Sequence, residues 1–342
     1  MAVKLVPDTI TSKPPALSGG PVFNLDTLGQ LGHNQCQQGF QPIVKDRKYL
    51  QKRAKNAYFS KSLARHLTQL DTPSPLLKAY KRTLFDCCGT VMQEGKKLTT
   101  KYCDARWCNT CNRIRTAKLI NGYKQPLMQF SEMYFVTLTL PNVKGSDLKP
   151  CIAGMVRNLS NVIRARRRAG NGCNGIRKLE CTYNAVEDTY HPHFHLVVDG
   201  KENADFIQRE WLNRNPSATY KAQDVRPANI DSAMELFKYV TKIISKQKTV
   251  SGNEFRIYVP ALDVIFQSMY RVRTFQSFGK VRMVSEEIQE LDADTYEQIP
   301  EYEFMVWQWQ GNDWHSMATG EPLTHYKPSE AMQKLVSEKM VT

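Results

Sequence analysis

Apolar positions recur at helical spacing over residues 48–70, where Leu50, Ala54, Ala57, Leu63, Leu67 and Leu70 line an otherwise basic segment. Pro73 and Pro75 mark its end. A strand follows from Tyr134 to Leu140 and closes at the Pro141-Asn142 turn. Helical spacing returns from Ile152 to Ala169 and finishes in the basic run Arg164, Arg166, Arg167 and Arg168. Two strands, Ile176–Tyr183 and His191–Val198, are joined by a short polar loop, with Asp199-Gly200 ending the second. Helices are predicted from about Ala204 to Asn213 and from Ser232 to about Lys246, the latter opened by the capping box Ser232-Ala233-Met234-Glu235. Short strands or helical turns follow over 253–280, and Trp307, Trp309 and Trp314 flank a hairpin turn at Gly311-Asn312-Asp313.

Strands interleaved with helices predict an α+β sheet domain. The expected division is a disordered arm at 1–45, a basic helical and zinc-binding module at 46–126, a sheet domain at 127–282 and an acidic, tryptophan-bearing region at 283–342. The arm is assigned from its Pro, Gly, Ser and Gln content and its lack of periodicity.

Charge sharpens this division. The 342 residues carry a net charge of +14, and Lys45–Lys124 alone holds 19 Lys/Arg against 5 Asp/Glu. Between Met283 and Tyr326 there are 10 acidic residues and no Lys or Arg. Basic charge concentrated in this way is the footprint of a polyanion partner, because neutralising phosphates releases counterions. The plainer alternative is a solvated basic face. No run of about 18 apolar residues is present, and residues 1–22 have no apolar stretch of secretory length, so neither a membrane span nor export is expected. In the cytoplasmic setting this implies, nine cysteines are candidate metal ligands rather than disulfides.

Five of those cysteines fall within residues 87–111. Cys88, Cys103, Cys108 and Cys111 have the arrangement C-x14-C-x4-C-x2-C, suited to a closed tetrahedral Zn²⁺ site, with Cys87 competing for the first position. Buried free cysteines are the alternative, made improbable by the density of the cluster and by the basic residues, Arg106, Arg113 and Arg115 among them, interspersed with it or just beyond it. A thiol–disulfide role for Cys108 and Cys111 lacks the βαβ context it needs. His191, His193 and His195 alternate along a strand, opposite the apolar row Pro192, Phe194, Leu196 and Val198. If the preceding strand pairs with its own apolar row inward, Glu180 lies beside the histidines. Two imidazoles and a carboxylate leave coordination positions open for substrate, the third ligand being Glu180 or His191.

On the helix predicted from Ser232, Glu235, Tyr239, Lys242 and Lys246 fall within roughly 60° of arc, opposite Leu236, Phe237, Val240, Ile243 and Ile244. A tyrosine on a helix usually packs at a core margin; here it is flanked by a carboxylate and an amine. A phenol with a pKa of about 10 needs activation or a polarised electrophile. A metal ion on a phosphate oxygen would provide the latter, Lys242 would stabilise developing charge, and Glu235 would serve as a general base.

With these residues in view, the chain resembles the rolling-circle replication initiators of small bacterial plasmids, in the single-tyrosine branch of the HUH endonucleases. Phe135-Val136-Thr137-Leu138-Thr139, His191-Pro192-His193-Phe194-His195-Leu196 and Lys238-Tyr239-Val240-Thr241-Lys242 match three motifs of that family in order, and the Cys-x-x-Cys cluster fits the same branch. The resemblance spans about residues 80–280. It implies a five-stranded antiparallel sheet with flanking helices, Mg²⁺ or Mn²⁺ at His193 and His195, and nicking of one strand at a plasmid origin. Neither the second tyrosine of two-tyrosine relatives nor a Gly-x4-Gly-Lys-Ser/Thr loop is present, so a host helicase, and with it a polymerase, is implied. A single-strand transposase or relaxase, a non-catalytic zinc-containing DNA-binding regulator and a zinc hydrolase are the competing readings. Arg106, Arg113, Arg115, Arg166 and Arg167 are the arginines expected to contact DNA.

Overall fold

The computed structural model describes residues 47–94, 97–237, 245–249, 252–284 and 304–337. The arm expected at 1–45 lies outside them, as do Tyr239 and Lys242. The expected α+β class with an antiparallel five-stranded sheet is what the chain adopts. That sheet has the order β6 (Asp224–Pro227), β3 (Met133–Thr139), β5 (Thr189–Asp199), β4 (Gly175–Asn184), β9 (Phe275–Phe278), with every neighbouring pair antiparallel.

Alternation divides this sheet into two faces. Val136, Leu138, Leu179, Phe194, Leu196 and Val198 are fully buried on one of them. They are covered by α4 (Gly145–Arg168), α5 (Lys201–Arg214) and α7 (Val259–Ser268). α4 supplies Leu148, Ile152, Met155, Leu159 and Val162 at alternating steps of four and three, which keeps one stripe against the strands. The helix starts seven residues before the sequence expectation, because Gly145 to Pro150 offers only Leu148 to the apolar stripe, among polar residues and a proline.

A second sheet has the order β11 (Asp313–Ser316), β10 (Phe304–Gln310), β1 (Thr90–Glu94), β2 (Lys97–Thr100). The tryptophan-bearing hairpin therefore pairs with the zinc-module strands, and the boundary expected at 282/283 does not separate bodies. Residues Val44–Thr342 form one compact unit. α1 (Arg47–Leu67) joins the two cores: Leu50, Ala54 and Ala57 pack with Trp307, Trp314 and the cysteines, while Phe59, Leu63 and Leu67 enter the core of the large sheet. α2 (Leu77–Phe85) leads into the cysteine region and α3 (Asn109–Met128) leaves it. α3 went unseen in the sequence because its apolar residues are not gathered on one side.

The helix expected over 232–246 is corrected. Its described part, α6, runs from Ile230 to Glu235, and Asn229 rather than Ser232 caps it, its side chain accepting from Ser232 N at 2.9 Å. Ser245–Thr249 is not helical but forms β7, which pairs with β8 (Gly252–Arg256) as a hairpin. Pairing along that hairpin satisfies the backbone of 245–249 without a helical turn.

Candidate metal centre

The face of the large sheet opposite α4 carries the histidines, and strand register decides which partners they meet. Glu180 lies opposite His193 and Lys178 opposite His195 across the β4–β5 pair. On the other side Thr137 faces His195 and Thr139 faces His193 across β3–β5. Glu180 Oε2 lies 3.6 Å from His193 Nε2 and 4.0 Å from His195 Nε2. These three residues offer donor atoms within 4.8 Å of one another, while His191 is not part of the group. A divalent ion about 2.1 Å from each ligand holds adjacent donors about 3.0–3.4 Å apart, so a small inward movement suffices.

Partners behind the rings fix the outer nitrogens. His193 Nδ1 lies 3.0 Å from His191 O. A carbonyl can only accept, so Nδ1 carries a proton and Nε2 is the ring nitrogen turned toward Glu180. His195 Nδ1 is 3.2 Å from Thr137 Oγ1, which suits the same tautomer. His191 instead has its Nδ1 2.8 Å from Asn142 Oδ1, and its ring centroid is 5.2 Å from that of His193. It flanks the centre rather than completing it.

The electrostatics favour a carboxylate at Glu180 and uncharged rings at His195 and His191. Burial would raise the Glu180 carboxyl, but His193 and the Lys178 ammonium outweigh it and hold its pKa at about 2. Burial pushes His195 down to about 4 and also lowers His191. Lys178, which the sequence reasoning missed, is almost fully buried and places Nζ 2.6 Å from Glu180 Oε1. The signal was available: Lys178 precedes Glu180 by two residues and shares its strand face.

The same face continues into an apolar cluster. Phe135, Ile176 and Val197 pack with Leu236 and Phe237, the residues that follow α6. Phe237 stacks near Tyr123 and Phe275, and Phe135 lies 5.4 Å from the His195 ring. The chain is thus anchored on the histidine face immediately before Lys238-Tyr239. The side chain of Glu235 and the placement of Tyr239 and Lys242 lie outside what the structure describes.

The cysteine cluster gathers at the junction of α2, β1 and α3. Cys87, Cys103, Cys108 and Cys111 form the four-thiol group. Cys87 Sγ is 3.6 Å from both Cys108 Sγ and Cys111 Sγ, and Cys103 Sγ is 3.6 Å from Cys111 Sγ. Tetrahedral Zn²⁺ with bonds of about 2.3 Å needs sulfurs about 3.8 Å apart, so the residues fit that ion. Cys88, placed first in the C-x14-C reading, is corrected to Cys87. It sits in a left-handed conformation (φ 52°), its N–H on Lys101 O and its carbonyl on Trp314 Nε1, one step off the tetrahedron. Hydrogen bonds from Cys108 and Cys111 pull the Cys103 thiol below its ordinary pKa. The buried Lys61 lies beside the thiols and donates to Leu84 O at 2.7 Å.

The five arginines expected on DNA have unequal freedom. Arg106 is spent on the carbonyls of Met269 and Val272 at the end of α7, so its guanidinium braces the fold instead of facing a phosphate. Arg115 holds Asn112 Oδ1 and Asp104 O, and Arg166 holds Asn203 Oδ1 and Glu202. Arg113 and Arg167 are exposed.

Comparison with known proteins finds replication proteins. A family model described as "Replication protein" matches residues 95–304, which include the whole five-stranded sheet. A "Protein rep" of Staphylococcus aureus is 28% identical over 231 residues, 59% of this chain and 97% of that one. A "Protein rep" of Bacillus amyloliquefaciens is 34% identical over 121 residues, where this chain covers only 36% of the relative. One from Streptococcus pneumoniae is 23% identical over 206 residues, 55% of this chain and 63% of that protein. No solved structure matches the chain.

Proposed function

This chain belongs to the replication protein family, and from that premise we propose that it is a plasmid rolling-circle initiator that nicks one strand at its origin with Tyr239. The observation that carries the reading is the convergence of Glu180, His193 and His195 on one open donor set. Two imidazoles and one carboxylate suit Mn²⁺ better than the all-oxygen preference of Mg²⁺, though either would serve. A divalent cation held there would polarise a non-bridging phosphate oxygen.

The rest is the work of the chain itself. Tyr239 Oη attacks phosphorus, the bond from phosphorus to the 3′ oxygen breaks, and that oxygen takes a proton to become a free 3′-hydroxyl primer. The phenol proton passes to solvent, and a 5′-phosphotyrosine remains. Lys242, three residues after Tyr239 in sequence, stabilises the developing negative charge. Glu235 acts as general base on water or an incoming hydroxyl when the adduct is resolved. The Cys87-Cys103-Cys108-Cys111 site holds Zn²⁺ structurally. Origin DNA is the partner, in both single- and double-stranded form, and a host helicase and polymerase extend the exposed 3′ end.

The test is to incubate the protein with Mn²⁺ and single strands tiled across the plasmid that encodes it, then to run denaturing gels for a covalent adduct. An adduct lost in Tyr239→Phe, with DNA binding kept, is the expected result. Binding without any adduct on every strand would leave a zinc-containing DNA-binding regulator instead.

A further inference from the structure

We propose that Lys178 cancels the charge of the metal centre and thereby makes cation binding conditional on the DNA phosphate; this rests on the metal-centre reading above. Lys178 and Glu180 project from the same face of β4, in register with His195 and His193. The Lys178 ammonium is 2.6 Å from Glu180 Oε1, and among the described residues no other carboxylate forms an ion pair with it. Glu180 therefore turns one oxygen to the lysine and the other, Oε2, to both imidazoles. An imidazole that ligates a metal is neutral, so the carboxylate and the ammonium paired with it leave the ligand set without net charge. A divalent cation entering this set meets a buried positive charge close by, and gains less than it would from the carboxylate alone. A phosphodiester brings the missing negative charge. By linkage, the phosphate tightens the cation and the cation tightens the phosphate by the same factor. Lys178 acts here through Glu180 and the ion, as a positioning and charge-compensating residue.

The experiment titrates Mn²⁺ into the full chain carrying Tyr239→Phe at pH 8, where Glu180 stays ionised, and reads free Mn²⁺ by electron paramagnetic resonance. It is run with and without the tiled single strand that binds best. Mn²⁺ affinity should rise about tenfold or more when that strand is added. Lys178→Met should tighten Mn²⁺ about tenfold without DNA and flatten the effect of the strand, whereas Lys178→Arg should keep both behaviours. Lys178→Gln repeats the test should the methionine variant melt early. Unchanged or weakened Mn²⁺ affinity in the folded neutral variants overturns the proposal. The centre itself is tested separately, since Mn²⁺ binding that survives Glu180→Gln would remove the underlying reading whatever Lys178 does.

A groove on another side of the molecule carries a second inference independently. Between α2, the start of α4 and α7 lies an open cavity of about 1090 Å³. Lys78, Lys81 and Lys149 line it without an ion-pair partner among the described residues, and Asp86 is the single acidic residue on its wall. Phe85 and Tyr270, also on the wall, are 66% and 52% exposed. We infer that this groove takes single-stranded DNA: lysines track the backbone, and the two rings offer stacking platforms that a duplex cannot use.

Fluorescence anisotropy of the full chain with a 15-nucleotide oligothymidylate and a 15-base-pair duplex tests it. Replacing Phe85 and Tyr270 together by Ala should weaken the oligothymidylate about tenfold and leave the duplex unchanged. Replacing Lys78, Lys81 and Lys149 by Glu should reduce the salt dependence of single-strand binding. Equal loss on the duplex, or no loss on either, overturns the assignment. Adduct formation by the aromatic variant on a short strand keeps this result apart from the fate of the nickase reading.

Discussion

Glu180 and His195 are held away from their ordinary protonation behaviour in the same direction, and this sets a pH dependence for the folded chain. His195 is lowered to about 4 by burial, so the unfolded state takes up a proton first as pH falls below about 6.5. Its contribution to stability is present above that pH and is lost progressively down to 4. Glu180, held at about 2, adds a second loss that begins near 4.5. Thermal melts without added divalent cation should show both steps, and His195→Gln should flatten the upper one. The cysteines give a sharper test: Cys87→Ser should lose Zn²⁺ by elemental analysis, while Cys88→Ser should keep it. Strand alternation made Glu180, His193 and His195 legible in the sequence, since one face of a β-pair follows from period two alone. It could not separate Cys87 from Cys88, because adjacent residues in a turn obey no period and their directions are set by Lys101 and Trp314 from elsewhere.

Elements were legible where packing and periodicity agree, and obscure where a partner distant in sequence decides. β4 and β5 appear within a residue or two of their expected limits, the core row of β5 wholly apolar and that of β4 interrupted by the buried Arg177. The helix drawn from Ser232 through Lys246 failed because a capping box and an apolar arc are local signals, and the β7–β8 pairing overrides them from Ser245 onward. The tryptophans gave no hint of their partner, since nothing in a hairpin names the strand it will join. Trp314 is fully buried between that hairpin and α1, with Nε1 donating to Cys88 O at 2.7 Å. Trp314→Ala should therefore cost about 3–5 kcal/mol in denaturant unfolding, the usual toll of emptying a large aromatic site.

In the whole molecule, the N-terminal half of α1 serves the cysteine core and its C-terminal half serves the large sheet, so the two cores share one rigid rod. A chain ended at residue 303 would remove β10 and β11 and uncover Val91 and the cysteine cluster. Such a truncation should release Zn²⁺ readily to a chromogenic chelator, and its thermal transition should broaden or split. An unaltered rate of release would mean that the cysteine loop closes without its sheet. No helix among the described residues is long and apolar enough to cross a membrane.

The bond from Trp314 to Cys88 spans 226 residues of chain. At a synthesis rate of about 5–20 residues per second, a ribosome that has made the thiols works on for roughly 10–45 s before the indole that seals them exists. Until then the four sulfurs are exposed to whatever metals and oxidants the compartment holds. Any ion the thiols take up would therefore be sealed in place only late in the making of each molecule.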